Sequence, residues 1–216
     1  MSYEGSPPHY GAELHHQQQH FGGHQGHGGE FRGEGTPGFP SPGPHFPGTP
    51  DQHASPTGPP PPPSGYRIPL TTQGSFPDRS QTGEAPFKDA DGVSPVFIGS
   101  ALMERSVHPC KIGPHLYQFC SVAYGGGEQA HNGRFDLLPF KPAQMEWVRT
   151  SNGRIPPGRR PVEGGYEESG SKLYHAVANH NGVMVPGKTG EHLGGANVAF
   201  GGAEHVFTDY EILCWR

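Results

Sequence analysis

This 216-residue chain is poor in apolar material, with only 31% apolar residues against roughly 45–50%, Gly included, in ordinary globular domains. No apolar run approaches the roughly 18 residues of a membrane span, so no membrane insertion is expected. Cysteine is scarce and odd in number: Cys110, Cys120 and Cys214 do not make a disulfide framework and read as inert small hydrophobes. There is no Asn-x-Ser/Thr sequon, and the opening Met1–Gln19 segment lacks a basic region followed by an apolar one. It does not read as a secretory signal, and a cytoplasmic location is expected. Also missing are a Gly-x-Ser-x-Gly elbow, His-Glu-x-x-His, a P-loop and Cys-x-x-Cys. No catalytic residues and no enzyme activity are therefore expected.

Glycine and proline are abundant: 35 Gly and 26 Pro, together about 28% of the chain, which is the level of low-complexity sequence. They are unevenly spread. Residues 1–65 hold 28 of them, together with eight of the fifteen histidines, no Val, Ile or Cys, and a single Leu, Leu14. Such a segment cannot bury enough apolar surface to offset an ordering entropy of roughly 1–2 kcal/mol per residue. A disordered tail is expected over 1–65, with Pro59–Pro63 as a short polyproline II spacer before the domain. Its histidines lack the fixed spacing of a metal site. Charge divides too: the tail carries a net −4 and residues 66–216 a net −1. Neither half has the basic footprint of a nucleic-acid binder.

Beyond residue 65 the chain repeats itself. Val107–Leu116 lies over Met184–Leu193 at an offset of 77 with five of ten positions identical. Val122–Glu128 lies over Val198–Glu204 at 76, Phe135–Leu138 over Tyr210–Leu213 at 75, and Gly74–Pro77 over Gly153–Pro156 at 79. Four blocks in one order define two units, 66–140 and 145–216. Each unit holds short aliphatic and aromatic runs, punctuated by Asn-Gly and Gly-Gly pairs of the kind that close hairpins, and no 3.6-residue period persists. The predicted class is all-β, with short antiparallel strands. One unit alone is too small for a secure core, so the two copies are expected to pack about a pseudo-twofold axis, with a terminal strand (Tyr210–Trp215 or its partner near Trp147) exchanged to close the edges. Trp147 and Trp215 read as apolar anchors.

Trp147-Val, Ser151-Asn-Gly, Gly164-Gly-Tyr-Glu-Glu, Pro186-Gly-Lys, Phe200-Gly-Gly-Ala-Glu-His205 and Tyr210-Glu-Ile-Leu closely resemble the DM-nine repeat, a family that includes mannose-binding lectins of bivalves. The first unit keeps Lys88–Gly92, Pro109-Cys-Lys111 and Gly125-Gly-Gly-Glu128, with Ile68 in place of the opening Trp. The resemblance implies one sugar site per repeat, at the acid after Gly-Tyr and the Lys of Pro-Gly-Lys.

The residues themselves suit that chemistry. A neutral hexose offers vicinal hydroxyls and an apolar face, so its binding needs a carboxylate acceptor, a cationic donor and a covering surface. Asp89, Lys111 and Glu128 recur in the same order as Glu167, Lys188 and Glu204, and His115 recurs as His192. The lysines follow Pro-Cys and Pro-Gly and read as exposed turn residues; the glutamates follow Gly-Gly turns and could equally cap locally. The recurrent histidines read as site walls or buried hydrogen-bonding groups, not metal ligands, and Tyr124 and Phe200 as core. Neither metal nor cofactor is expected. The predicted function is non-catalytic binding of mannose-type glycans, the first site, with its shorter acid, being the tighter; a homodimer is allowed. The alternative is a scaffold that assembles through its low-complexity tail and has no sugar ligand.

Overall fold

The computed structural model describes residues 60–216. Of the tail expected over 1–65, residues 1–59 therefore lie outside the described residues. The first repeat contributes β1 (Ile68–Thr71), a short helix α1 (Arg79–Thr82), β2 (Phe87–Lys88), β3 (Pro95–Leu102), β4 (Val107–Ile112), β5 (Cys120–Tyr124), β6 (Gly127–Ala130) and β7 (Arg134–Leu138). The second contributes β8 (Met145–Ser151), β9 (Arg160–Pro161), β10 (Glu163–Tyr166), β11 (Lys172–His180), β12 (Val183–Thr189), β13 (Ala196–Phe200), β14 (Ala203–Phe207) and β15 (Asp209–Trp215). Apart from β9, every strand has its counterpart in the other repeat. The all-β class and the tandem organisation are as the sequence predicts. Among the described residues no helix is long and apolar enough to cross a membrane.

Turn chemistry follows the sequence closely. The β5–β6 and β13–β14 hairpins close on Gly125-Gly126 (φ 63° and 85°) and Gly201-Gly202 (61° and 85°), and β11–β12 on Asn181-Gly182 (53° and 91°). Two successive positive φ values are what a two-residue primed turn requires, and Gly and Asn reach them at least cost.

The sheet closes on itself. Around the ring run β4, β5, β6, β14, β13, β12, β11 and β10, with β10 returning to β4. The expected exchange of terminal strands is corrected by the registers. β15 pairs with β8 over seven positions, and β1 with β7 over four, each inside its own repeat. What crosses the boundary is one bridge at each seam: Tyr166 of β10 opposite Val107 of β4, and Ala203 of β14 opposite Gly127 of β6. The physical reason is edge availability. The terminal strands already satisfy each other, whereas β5 pairs with β4 only at Lys111 and Ile112. The Val107 end of that edge is left for β10.

Two cores fill the repeats, one around Phe97, Ile112, Val122 and Phe135, the other around Val185, Val198, Tyr210 and Ile212. A third binds the repeats together and draws on both: Ile98 and Leu138 pack with Met145, Val162, Leu213 and Trp215, with Trp147 against Phe87 and Phe140. Both tryptophans are the anchors the sequence suggested.

The domain also reaches further back than residue 66. The Pro63 carbonyl accepts from the Trp215 indole N–H and the Glu163 backbone N–H, both at 3.1 Å. Gly65 is buried, at φ 75°, where a Cβ would meet Leu138 at 2.7 Å. Arg67 donates to Ser100 Oγ in its own repeat (2.8 Å) and crosses to the second at the Glu163 carbonyl (2.8 Å) and His175 Nε2 (2.9 Å). Burial first, then the Arg67 charge, push His175 well below the ordinary imidazole range. It is neutral and accepts.

Candidate functional site

Strand register brings the recurrent polar residues together. In the first repeat Lys111 on β4 lies opposite Ser121 on β5, and Glu128 on β6 lies opposite Ala123. In the second, Lys188 lies opposite Asn197 and Glu204 opposite Ala199. Because side chains alternate across a strand, Lys, Ser or Asn, and Glu share one face in each copy.

Both lysines depart from the sequence reading. They sit within strands, not turns, and each is only 5% exposed. A buried ammonium needs partners, and each lysine finds at least one of them in the other repeat. Lys111 Nζ lies 3.0 Å from Glu128 Oε1 and 5.7 Å from the Phe200 ring centroid. Lys188 Nζ lies 3.1 Å from His108 Nδ1, 3.7 Å from Glu167 Oε1 and 5.4 Å from the Tyr124 ring centroid. Each cation thus sits over an aromatic ring borrowed from the opposite repeat.

Above the lysines stand the acids and histidines, which reach solvent. Asp89 Oδ2 pairs with His115 Nε2 at 2.8 Å. Burial alone would raise the Asp89 carboxyl, but the His115 hydrogen bond, the Ala90 N–H and the Lys111 charge hold it below the ordinary carboxylate range. Asp89 borders a cleft of about 480 Å³ whose far wall is Gly182–Met184 of the second repeat. In the second copy, Glu167 Oε1 lies 3.8 Å from His192 Nε2, and Oε2 lies 3.6 Å from His108 Nε2.

Glu128 and Glu204 also reach across the seam. Glu128 accepts from Ser121 Oγ at 2.8 Å and, through Oε2, from the Gly202 backbone N–H at 2.9 Å. Glu204 accepts from Asn197 Nδ2 at 2.9 Å and from the Gly126 N–H at 2.7 Å. The Glu128 and Glu204 backbone N–H groups answer with bonds to the Gly202 and Gly126 carbonyls, at 3.2 and 3.1 Å. The two Gly-Gly-x-Glu turns therefore clasp each other across the seam. Burial works against ionisation of Glu128, but the Gly202 N–H, the Ser121 hydroxyl and Lys111 together hold its carboxyl below the ordinary range.

The family profile of the DM9 repeat matches residues 89–207. The chain belongs to the DM9 repeat family. No curated protein matches it. Among solved structures it is similar to the nematode sperm cell motility protein MFP2B, with 14% identity and a TM-score of 0.50 over 74% of this chain and 50% of that one. The chain spans about half the length of that protein, and the likeness is one of fold.

The two DM9 repeats do not build equal clusters. His108 is fully buried beside Lys188, and its counterpart in the second repeat is Val185. Burial first, and the Lys188 charge second, push His108 down to about 4. The ring is therefore neutral, and its Nδ1 accepts from the ammonium. Sequence comparison missed His108 because the residue does not recur. It did register Tyr124 and Phe200, which occupy equivalent places before the Gly-Gly turns, but as core; their role under the lysines depends on the seam. Among the described residues no group of three or more metal-ligating side chains converges.

Proposed function

We propose that this DM9 protein is a non-catalytic carbohydrate-binding protein that takes mannose-type glycans, one site per repeat, in the cytoplasm. The observation that carries the reading is a polar set common to both repeats: Glu167 lies 3.7 Å from the buried Lys188 ammonium and 3.8 Å from His192, and in the first repeat Asp89 pairs with His115 while the Lys111 charge helps hold its carboxyl low. A carboxylate that accepts and an ammonium that donates suit vicinal hydroxyls. Glu128 pairs directly with Lys111, and together with Glu204 it holds the seam on which the lysines and borrowed rings meet. The first site, with the shorter acid, binds more tightly.

Calorimetric titration of an α-mannoside into wild type, Lys111→Met, Lys188→Met and the double variant tests this. Methionine keeps the stem volume and removes the charge. One charge-assisted hydrogen bond contributes about 1.5–3 kcal/mol, so each single change should weaken its own site roughly tenfold to a hundredfold. The double variant, if folded, should not bind. Wild-type affinity in a folded double variant refutes the assignment. Absence of binding by wild type, together with concentration-dependent assembly lost on removing residues 1–59, would favour the scaffold alternative.

A further inference from the structure

We propose that Cys110 and Cys120 form a peroxide-driven disulfide that fastens β4 to β5 beside Lys111, making the first repeat a site of reversible oxidation. The two sulfurs lie 3.4 Å apart in the first core, both buried. They sit on adjacent strands, and each is one residue from a member of the polar cluster: Cys110 precedes Lys111, and Cys120 precedes Ser121, the residues that meet at Glu128.

The repeat comparison gives this pair its meaning. The registers put Gly187 in the place of Cys110 and Ala196 in the place of Cys120. At Gly187 a Cβ would run into the Asn197 carbonyl, so β12 and β13 approach too closely there for any side chain, and they pair at three positions. β4 and β5 pair at two. Two sulfurs therefore occupy the strand junction in the repeat whose ladder is shorter, and neither has a counterpart in the other. The third cysteine, Cys214, packs in the second core, among Val185, Val198 and Ile212.

The chemistry balances with hydrogen peroxide as oxidant. Cys110 attacks as the thiolate on a peroxide oxygen; the O–O bond breaks, one water leaves, and Cys110 becomes a sulfenic acid. The Cys120 sulfur then attacks the Cys110 sulfur, the S–O bond breaks, and the hydroxyl departs as a second water with the Cys120 proton. Two thiols lose two electrons and one peroxide gains them. Burial first, then the Cys110 contact, push the Cys120 thiol well above its ordinary range, which suits the resolving partner better than the first nucleophile. Reaction waits on opening of the short β4–β5 ladder, so it is slow relative to an exposed thiol.

The test uses the reduced full chain, exposed to hydrogen peroxide and then examined by intact mass and by peptide mapping without reductant. The expected result is a monomer lighter by two hydrogens, with the Cys110 and Cys120 peptides linked, restored by a dithiol and unaffected by Cys214→Ala. No loss of hydrogens, a link to Cys214, or only oxygen addition overturns the proposal. Only the effect on Lys111 rests on the carbohydrate reading: in the Lys188→Met background the oxidised protein should bind α-mannoside with an affinity measurably different from that of the reduced one. A mapped disulfide with unchanged affinity refutes that coupling alone, whereas absence of binding in the reduced wild type refutes the carbohydrate reading and leaves the disulfide standing.

Discussion

Replacing Glu128 and Glu204 by alanine separates two roles for the same pair of residues. If they were sugar ligands, each change would cost affinity and leave stability alone. As the clasp they cost stability, and by unequal amounts. Glu204→Ala removes the acceptor of the Gly126 N–H at 2.7 Å and of the Asn197 amide at 2.9 Å. The charge-assisted bond sets the scale, about 1.5–3 kcal/mol. Glu128→Ala removes the equivalent bonds and also strands Lys111, whose ammonium lies 3.0 Å away with a side chain only 6% exposed. Breaking one partner from a buried pair costs about 3–5 kcal/mol; the Glu128 side chain is 19% exposed, so the lower half of that range applies. Urea unfolding with a common slope measures both, with Glu128→Gln as an intermediate that keeps the acceptor and drops the charge. The reasoning fails if Glu204→Ala stays within about 0.5 kcal/mol of wild type, the scatter of ordinary surface changes. It fails equally if Glu128→Ala is no worse than Glu204→Ala.

Three further outcomes are expected. His108, Asp89 and Glu128 all have depressed folded values. Their stabilisation is complete above the unfolded values and is lost on acidification: for His108, facing Lys188, Glu167, Glu204 and Glu168, between 6.5 and about 4, and for the two carboxylates below their ordinary range. A urea midpoint constant from neutral pH down to pH about 4 would contradict this. Gly165→Ala should open the β4–β10 seam, because at φ 151° its Cβ is driven into the Val107 carbonyl. Overpacking of that kind costs about 1–3 kcal/mol, and an unchanged melting temperature would contradict it. A chain beginning at Tyr66 should be less stable than one beginning at Pro60, since the Trp215 and Glu163 N–H groups lose the Pro63 carbonyl. An orphaned donor costs about 1–3 kcal/mol when buried, and equal urea midpoints would show that water replaces the carbonyl.

Much of the architecture could be read from the repeat. Offsets of 75–79 already paired Lys111 with Lys188 and Glu128 with Glu204, and the Gly-Gly and Asn-Gly pairs marked turns that carry positive φ. Ile68 does not stand where Trp147 stands: it lies opposite Leu137 as Val148 lies opposite Ile212, so the place of Trp147 falls one residue earlier, at Arg67. Burial of the lysines was hidden. Pro-Gly-Lys reads as a turn by local propensity, and only the closing of the ring puts Lys188 beside His108 and over Tyr124. The same holds for the clasp, whose hydrogen bonds join residues 74–78 positions apart and leave no local trace. Arg67 and His108 were invisible to repeat comparison, because neither recurs.

The borrowed rings tie the history of one repeat to that of the other. Phe200 lies beneath Lys111 and Tyr124 beneath Lys188, so a substitution before either Gly-Gly turn is felt first in the opposite cluster. Duplicated halves are usually free to drift apart, one retaining the ancestral task while the other takes on a new one. Here that freedom is curtailed: a half that lost its own lysine would still be held to its aromatic residue by its neighbour's need. The same wiring makes fragment complementation the natural assay of the seam. Two polypeptides cut between Leu138 and Met145 would each carry half of two clusters, and only their reassociation would restore either one.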